Sequence, residues 1–298
     1  MKIVGEIFRF ELHKKIKIDE TTKIIKDAEF EKTVNDFEDK LVLDYQQRLI
    51  ENIAYKQLFE LDKISEDKLA LSWVFLELSS DVYNYLIDNE DKTQDNECAA
   101  KIFYNMILHF RCLFTLWLSK QQENMFAPLR TMYELYITLR FIEKYPELSK
   151  PFIDHIAMKN ANIKRKLNKK YALNEHENDI IAKYGQDFSD EYGWTAEILS
   201  NKRKRNLRGM ADNLKLEGYR PLYVLTSESI HASSLSINSY FNIYSDPLIM
   251  IHSAVELLTN GLLSMARNFK VGYEKYLLLM NIIYALREDL LDEEQQET

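Results

Sequence analysis

Turn-forming residues are scarce in this chain, and their scarcity limits the folds it can adopt. Only seven glycines and five prolines occur in 298 residues, and they lack the regular spacing that a β-sandwich or β-barrel requires. Long segments instead repeat apolar residues with the period of an α-helix. Since 46% of the residues are hydrophobic, a sizeable core can form. The sequence therefore predicts an all-α protein, a single helical bundle with an N-terminal helical extension.

The predicted helices divide the chain into two parts. Residues 1–97 form the N-terminal extension, whose first forty residues could hold a short strand or a helix start before a helical period takes over near Asp44. Residues 98–298 form the bundle. Its first helix, 98–118, is apolar on more than one side, which indicates a central position.

The remaining bundle helices follow from caps and prolines. We expect a helix from Asn124, a good capping residue, to just before Pro146. The segment 191–209 loses its apolar period and is interpreted as a loop with little structure of its own. After it, a long helix is predicted at 221–244, and two more helices at 247–268 and 271–291.

Net charge and apolar runs bear on location and partners. The chain carries a net charge of −8, which argues against a general binder of nucleic acid or anionic membranes. It has neither a signal-like N-terminus nor about 18 uninterrupted apolar residues, so we expect a cytoplasmic protein without a membrane partner. Cys98 and Cys112 fit neither a disulfide framework nor a zinc site and are interpreted as reduced packing residues.

Two polar pairs interrupt otherwise apolar helices. Arg130 and Glu134 are four residues apart in PLRTMYELYITLRF, and Ser227 and His231 are four apart in YVLTSESIHASS. Residues four apart lie on one face of a helix, so each pair places two polar groups where core is expected. Buried polar groups need partners, and each pair could supply the other's. We expect the two helices to pack face to face and the four side chains to meet in one pocket.

Each pair also has a purely structural interpretation. Arg130 and Glu134 could form an ion pair that locks two helices together, because their helix has almost no solvent face. His231 belongs to a polar stripe with Ser234 and Asn238, and that stripe could simply be solvated. The functional interpretation makes His231 a general acid or base, since histidine titrates near neutral pH.

Two basic runs stand out against the acidic total. Residues 159–170, KNANIKRKLNKK, contain no acid, and 201–208 are similarly basic. Because positive charge attracts a phosphate backbone, we expect both runs to contact RNA, although a solvated surface is the alternative. The residues expected to bind nucleic acid are Lys164, Arg165, Lys166, Lys202, Arg203, Lys204 and Arg205.

Several familiar chemistries lack their sequence motifs. The chain has no Gly-x-Gly-x-x-Gly or Walker-type loop, no His-Glu-x-x-His and no Gly-x-Ser-x-Gly. We therefore predict neither a metal nor a cofactor. The isolated histidines His13, His109, His176 and His252 are interpreted as structural or solvated.

Motifs in three segments resemble DUF5677, an uncharacterised bacterial family of all-helical proteins. The resemblance covers about residues 98–245 and departs at Thr226, where the family usually has leucine. Since the family has no settled function, the resemblance implies candidate residues and no reaction. The residues that carry it are Arg130, Thr131, Met132 and Glu134, then Tyr192, Gly193 and Trp194, then Tyr223, Ser227 and His231.

Two functional hypotheses remain. The first is a metal-independent ribonuclease-like or toxin-type effector, active on RNA in bacterial stress or phage defence. By analogy with small helical nucleases, His231 would be the general acid or base, Arg130 would stabilise the charge on phosphorus, Glu134 would orient Arg130, and Ser227 would complete the site. The second is a non-catalytic helical module, either a homodimer or a subunit that binds a defence-system protein.

Overall fold

The computed structural model of the protein describes residues 2–10, 28–51, 66–216, 218, 220–230 and 247–292. These ranges contain α-helices and short 3-10 turns and no strand, which confirms the all-α prediction. The helices are α1 (Lys2–Ile7), α2 (Ala28–Glu51), α3 (Glu66–Asn89), α4 (Gln94–Leu118), α5 (Phe126–Lys144), α6 (Ser149–Leu167), α7 (Glu175–Tyr184), α8 (Leu207–Leu214), α9 (Arg220–Ile230), α10 (Pro247–Asn268) and α11 (Tyr273–Asp292).

Three helices, α4, α5 and α10, form the centre of the bundle and pack on one another. On α4, Phe103, Phe110 and Phe114 are fully buried, as the predicted two-sided apolar pattern requires. By length and composition α10 could cross a membrane, over Ile249–Asn268, but 72% of that apolar window is buried within the bundle. A central bundle helix has the same sequence pattern, so the pattern alone does not indicate a membrane span.

The N-terminal helices share the core of the bundle. α2 packs on α3 and α11, and α3 packs on α4 and α10, so one connected apolar core runs through both predicted parts of the chain. The division at residue 97 stays a prediction. Within the first forty residues, Lys2–Ile7 is helical, and the segment 11–27 lies outside the described residues.

On another side of the central helices, α6 to α8 and several 3-10 turns form an ordered layer. The prediction that residues 191–209 form a loop with little structure of their own is wrong. This segment holds 3-10 turns at Gly193–Thr195 and Lys202–Lys204, and then α8. Asn206 caps α8 by accepting a hydrogen bond from the Gly209 amide at 2.8 Å. A Cβ at Gly209 would lie 1.9 Å from the Lys204 carbonyl oxygen, so glycine permits this close approach. Three-residue turns have no 3.6-residue period, which is why the pattern failed here.

Two local predictions about single residues are also wrong. Asn124 does not cap α5, since it ends a 3-10 turn and is followed by Met125, whose side chain makes no capping bond. Met125 is fully buried, so packing marks this helix start instead. Cys98 is buried as expected, whereas Cys112 is exposed and therefore not a packing residue; both are free thiols.

Candidate functional site

Arg130, on α5, shares its guanidinium group among three side chains. Nε donates to Glu134 Oε1 at 3.0 Å, one turn further along the same helix. Nη1 donates to Ser227 Oγ at 3.2 Å and Nη2 to Tyr223 OH at 3.4 Å, both on α9. The predicted contact between the two helices is confirmed. We call Arg130, Glu134, Tyr223 and Ser227 the Arg130 cluster.

The Arg130 cluster lies at the edge of the core, and the expected burial of its ion pair is wrong. The side chain of Arg130 is 20% exposed and that of Glu134 is 38% exposed. The neighbouring Met132 and Leu129 are buried, so the apolar pattern of α5 is real, but the polar pair faces outward. A partly hydrated pair can exchange a protein partner for a ligand, which a buried pair cannot do without a large desolvation penalty.

Tyrosine rings line the same region. The Arg130 guanidinium carbon lies 5.1 Å from the centroid of the Tyr223 ring, and the Tyr133 and Tyr223 centroids are 5.6 Å apart. Burial raises the pKa of Tyr133 to about 12, with Tyr223, Asp212 and Glu134 contributing. Burial also raises the pKa of Tyr192, helped by the nearby charge of Glu134. Both phenols therefore stay protonated near neutral pH and can donate hydrogen bonds.

The sequence Tyr192-Gly193-Trp194 explains how Tyr192 reaches the site. Trp194 is buried and packs edge-on against Phe141 and Phe152, at ring-centroid distances of 6.0 and 4.9 Å. A Cβ at Gly193 would lie 2.4 Å from the backbone oxygen of Phe188, so a side chain cannot fit there. The tryptophan anchors the turn, the glycine allows its tight packing, and Tyr192 projects beside Glu134 as a result.

These side chains open onto a cleft formed by α5, α8, α9 and α10 and by the turn at Tyr192. Charges of both signs line it. The cations Arg208 and Arg220 accompany Arg130, and the acids include Asp212 and Glu256. We call this the Arg130 cleft. Its lining residues include Arg130, Tyr133, Glu134, Glu191, Tyr192, Arg208, Asp212, Arg220, Tyr223, Ser253 and Glu256.

The predicted site lies only partly within the described residues. His231 lies outside the described residues, as do Ser234 and Asn238, whereas Ser227 is described and bonded to Arg130. A different histidine, His252, lines a smaller neighbouring pocket together with Arg287, and Ser253 and Glu256 line both cavities.

The two basic runs differ in how much of their charge is neutralised. Lys202 Nζ lies 3.1 Å from Asp187 and 2.8 Å from Asp190, and Arg205 lies 3.2 Å from Asp187. The Arg205 side chain is only 12% exposed and also donates to the Leu199 carbonyl, so it has a structural role. Lys164 in the first run lies 3.5 Å from Glu177. Arg165, Lys166, Arg203 and Lys204 are exposed or partly exposed and have no ion-pair partner among the described residues.

Several members of the cleft were missed as site residues. Tyr192 and Tyr223 belong to the motifs that carry the family resemblance. Their place in those motifs was a signal that they belong to the site, but the sequence analysis names them only as evidence of the resemblance. Arg208 belongs to the second basic run, and Arg220 has no signal beyond its charge. Across the part of the chain that the structure describes, no three His, Cys, Asp or Glu side chains group together as metal ligands would.

The fold and site define an all-helical bundle with a polar cluster where α5 meets α9. Residues 97–246, half of the chain, match DUF5677, which is described as a family of unknown function. The chain therefore belongs to this family, in agreement with the resemblance seen in its motifs. The matched region contains the whole Arg130 cluster. Searches of curated proteins and of solved structures find no match.

Proposed function

We propose that this protein is a metal-independent ribonuclease-like enzyme, of the kind used as toxin-type effectors, and that RNA binds in the Arg130 cleft. The observation that carries the proposal is the geometry of Arg130. Glu134 holds Nε, so the two terminal nitrogens point toward the hydroxyl group of Tyr223, which lines the cleft, and that of Ser227, one turn further along α9. An arginine fixed along one edge is pre-organised to donate to two oxygens of a phosphate.

The roles follow from the chemistry of RNA cleavage. Arg130 stabilises the charge that develops on the phosphoryl oxygens, and Glu134 orients it. When RNA binds, the hydroxyl groups of Ser227 and Tyr223 turn from accepting the Arg130 hydrogen bonds to donating hydrogen bonds to the same phosphoryl oxygens. His231, four residues after Ser227, is the proposed general acid or base for attack by the ribose 2′-hydroxyl.

Aromatic and basic groups of the cleft support RNA as the ligand. Tyr192 and Tyr223 are partly exposed and offer rings on which unpaired bases can stack, a contact that tolerates any base. Arg220 and Arg208 add positive charge beside them, although Arg208 lies 4.0 Å from the Asp212 carboxylate and is partly neutralised. Because Lys202 and Arg205 are already paired with acids, we expect the unpaired members of the two basic runs to guide the RNA backbone more strongly than these two residues.

Cleavage of single-stranded RNA by the purified protein in EDTA tests the proposal. We expect products with cyclic phosphate ends, no cleavage of DNA, and a loss of at least 100-fold in Arg130→Ala and His231→Ala at unchanged folding. His252→Ala is the matched control and should retain activity. Glu228 and His231 have the Glu-x-x-His spacing of helical metal sites, so cleavage that EDTA abolishes would replace this mechanism with a metal-dependent one.

A non-catalytic interaction module is the second candidate. It is favoured by one observation: the Arg130–Tyr223 and Tyr133–Tyr223 contacts tie α5 to α9, as a cluster that only fixes helix packing would. This candidate predicts neither RNA binding at low salt nor cleavage. It also predicts that Arg130→Ala lowers the melting temperature and weakens association with itself or with a partner protein. That combination of results would replace the ribonuclease proposal.

A further inference from the structure

A line of exposed aliphatic side chains runs along α6. Ile156, Ile163 and Leu167 are 55%, 54% and 84% exposed, and intervals of seven and four residues place them on one face of the helix. The opposite face carries the buried residues His155 and Met158. Single exposed aliphatic residues are ordinary, but three on one face of a helix form an apolar stripe, interrupted by Asn160 between Ile156 and Ile163. We call these three residues the α6 stripe.

Positive charge surrounds the α6 stripe. Lys159 and Lys166 flank it along the helix, and Lys169 and Lys170 follow the last turn. Lys159 lies 3.6 Å from Glu191 and is partly neutralised. Around Arg165, Lys166, Lys169 and Lys170, the described part of the chain places no carboxylate within ion-pair distance. A chain whose net charge is −8 therefore concentrates free cations beside Leu167, the most exposed leucine among the described residues.

We propose that α6 docks on an anionic lipid bilayer as a peripheral contact. An interfacial helix combines an apolar face, which enters the boundary between headgroups and acyl chains, with flanking lysines and arginines, which bind acidic headgroups. The α6 stripe and its cations have both parts. The net negative charge of the protein keeps its other faces away from the same surface, which orients the contact.

Charge and chemistry favour lipid over other occupants of this face. A second copy of the chain that docked symmetrically through its own α6 would bring two equally basic faces together, which is repulsive. RNA, the partner expected for this run from its charge, uses the cations but gains nothing from Ile163 or Leu167, since phosphate contacts are electrostatic. The docking proposal is independent of catalysis in the Arg130 cleft, which involves α5, α8, α9 and α10.

Co-sedimentation of the full chain with lipid vesicles tests the inference. Vesicles that contain 30% phosphatidylglycerol in phosphatidylcholine should bind the protein, and pure phosphatidylcholine vesicles should not. The double variant Ile163→Gln/Leu167→Gln should weaken the partition coefficient by at least about tenfold. Replacing Lys166, Lys169 and Lys170 by glutamine should lower the partition coefficient by about fivefold for each charge removed. Added salt should also lower the partition coefficient, because it screens the attraction to the acidic headgroups.

A matched control separates the α6 stripe from general stickiness. Leu43 on α2 is 68% exposed, and Leu43→Gln should leave vesicle binding unchanged. Circular dichroism verifies that every variant is folded. Absence of binding to anionic vesicles, or equal losses in the stripe variant and the Leu43→Gln control, would overturn the inference. If the lysine variant loses RNA binding while the wild-type protein ignores vesicles, the run is an RNA surface instead.

Discussion

Two clusters on the same helix use the same residue types in opposite ways. The Arg130 cluster joins an arginine, a glutamate, a serine and a tyrosine near the start of α5. Near its end, Glu143 accepts from Arg267 Nε and Nη2 at 2.5 and 3.2 Å, Ser264 donates to Glu143, and Tyr276 bonds to Arg267 Nη1. We call these last four residues the Glu143 cluster.

The burial of the glutamate and the number of its oxygens that bind the arginine, and not composition, distinguish the two clusters. Ser264 is fully buried, the Glu143 side chain is 18% exposed, and Arg267 makes a two-point contact with its carboxylate. In the Arg130 cluster only one carboxylate oxygen of Glu134 meets the arginine, and both terminal nitrogens meet neutral hydroxyl groups. Arg267 itself is 35% exposed, so the mostly buried Glu143 carboxylate, held at two points, is what stabilises the contact between helices there. An arginine whose terminal nitrogens meet only replaceable hydroxyl groups at a cleft can instead bind an anion.

The largest expected effect comes from removing the two glutamates in parallel. Glu143→Ala leaves Arg267 and Ser264 without their shared acceptor and should lower the free energy of unfolding by about 3 kcal/mol. Glu134→Ala removes a half-exposed partner and should cost about 0.5 kcal/mol. Urea denaturation measures both, with exposed Glu147→Ala as control. Equal losses for Glu134 and Glu143 would erase the distinction between the clusters.

A glycine substitution should damage the Arg130 side of the molecule alone. In Gly193→Ala the new methyl group meets the backbone oxygens of Asp187 and Phe188 at 2.5 and 2.4 Å, and backbone cannot move aside cheaply. We expect a loss of about 2 kcal/mol in unfolding free energy. Displacement of Tyr192 should also weaken RNA binding, whereas the Glu143 cluster should keep its amide protection against hydrogen exchange. Unchanged stability would show that the turn at Gly193 has room for a methyl group, and the glycine would then not be what positions Tyr192.

The fold could be predicted from the sequence because helical period and scarce turn residues report on many positions at once. Phe103 and Phe110 follow that period and are buried. Because many positions support the same helix, one misread residue does not change its assignment. The contact between Arg130 and Ser227 was also predictable, since both interrupt apolar faces that must pack together.

The rest of the site depends on contacts that no local pattern encodes. Tyr192 is positioned by Trp194, which is anchored by Phe141 and Phe152 on two other helices. The exposure of Glu134 depends on how α9 crosses α5, and periodicity does not specify a crossing angle. The Glu143 cluster was missed because its members are more than 120 residues apart along the chain, from Glu143 to Ser264 and Arg267.

The smallest expected effect is a pH dependence that begins on the Arg130 side. His155 Nε2 donates to the Asp190 carbonyl at 2.8 Å, which holds the chain just before Tyr192. Burial lowers the pKa of His155, although the hydrogen bond to Asp190 opposes this shift. The unfolded chain therefore binds a proton more readily than the native state, so stability is complete above about pH 6.5 and declines as pH falls below it.

Measured unfolding free energy should thus fall between pH 7 and pH 5, by at most about 1.4 kcal/mol per pH unit from this one group. His155→Gln should flatten that slope, whereas exposed His176→Gln should not. At pH 5.5, amides of residues 188–195 should exchange faster relative to pH 7 than those near Ser264, after correction for intrinsic rates. If both regions lose protection together, His155 acts on the whole bundle, and the Arg130 side is not the more easily loosened of the two.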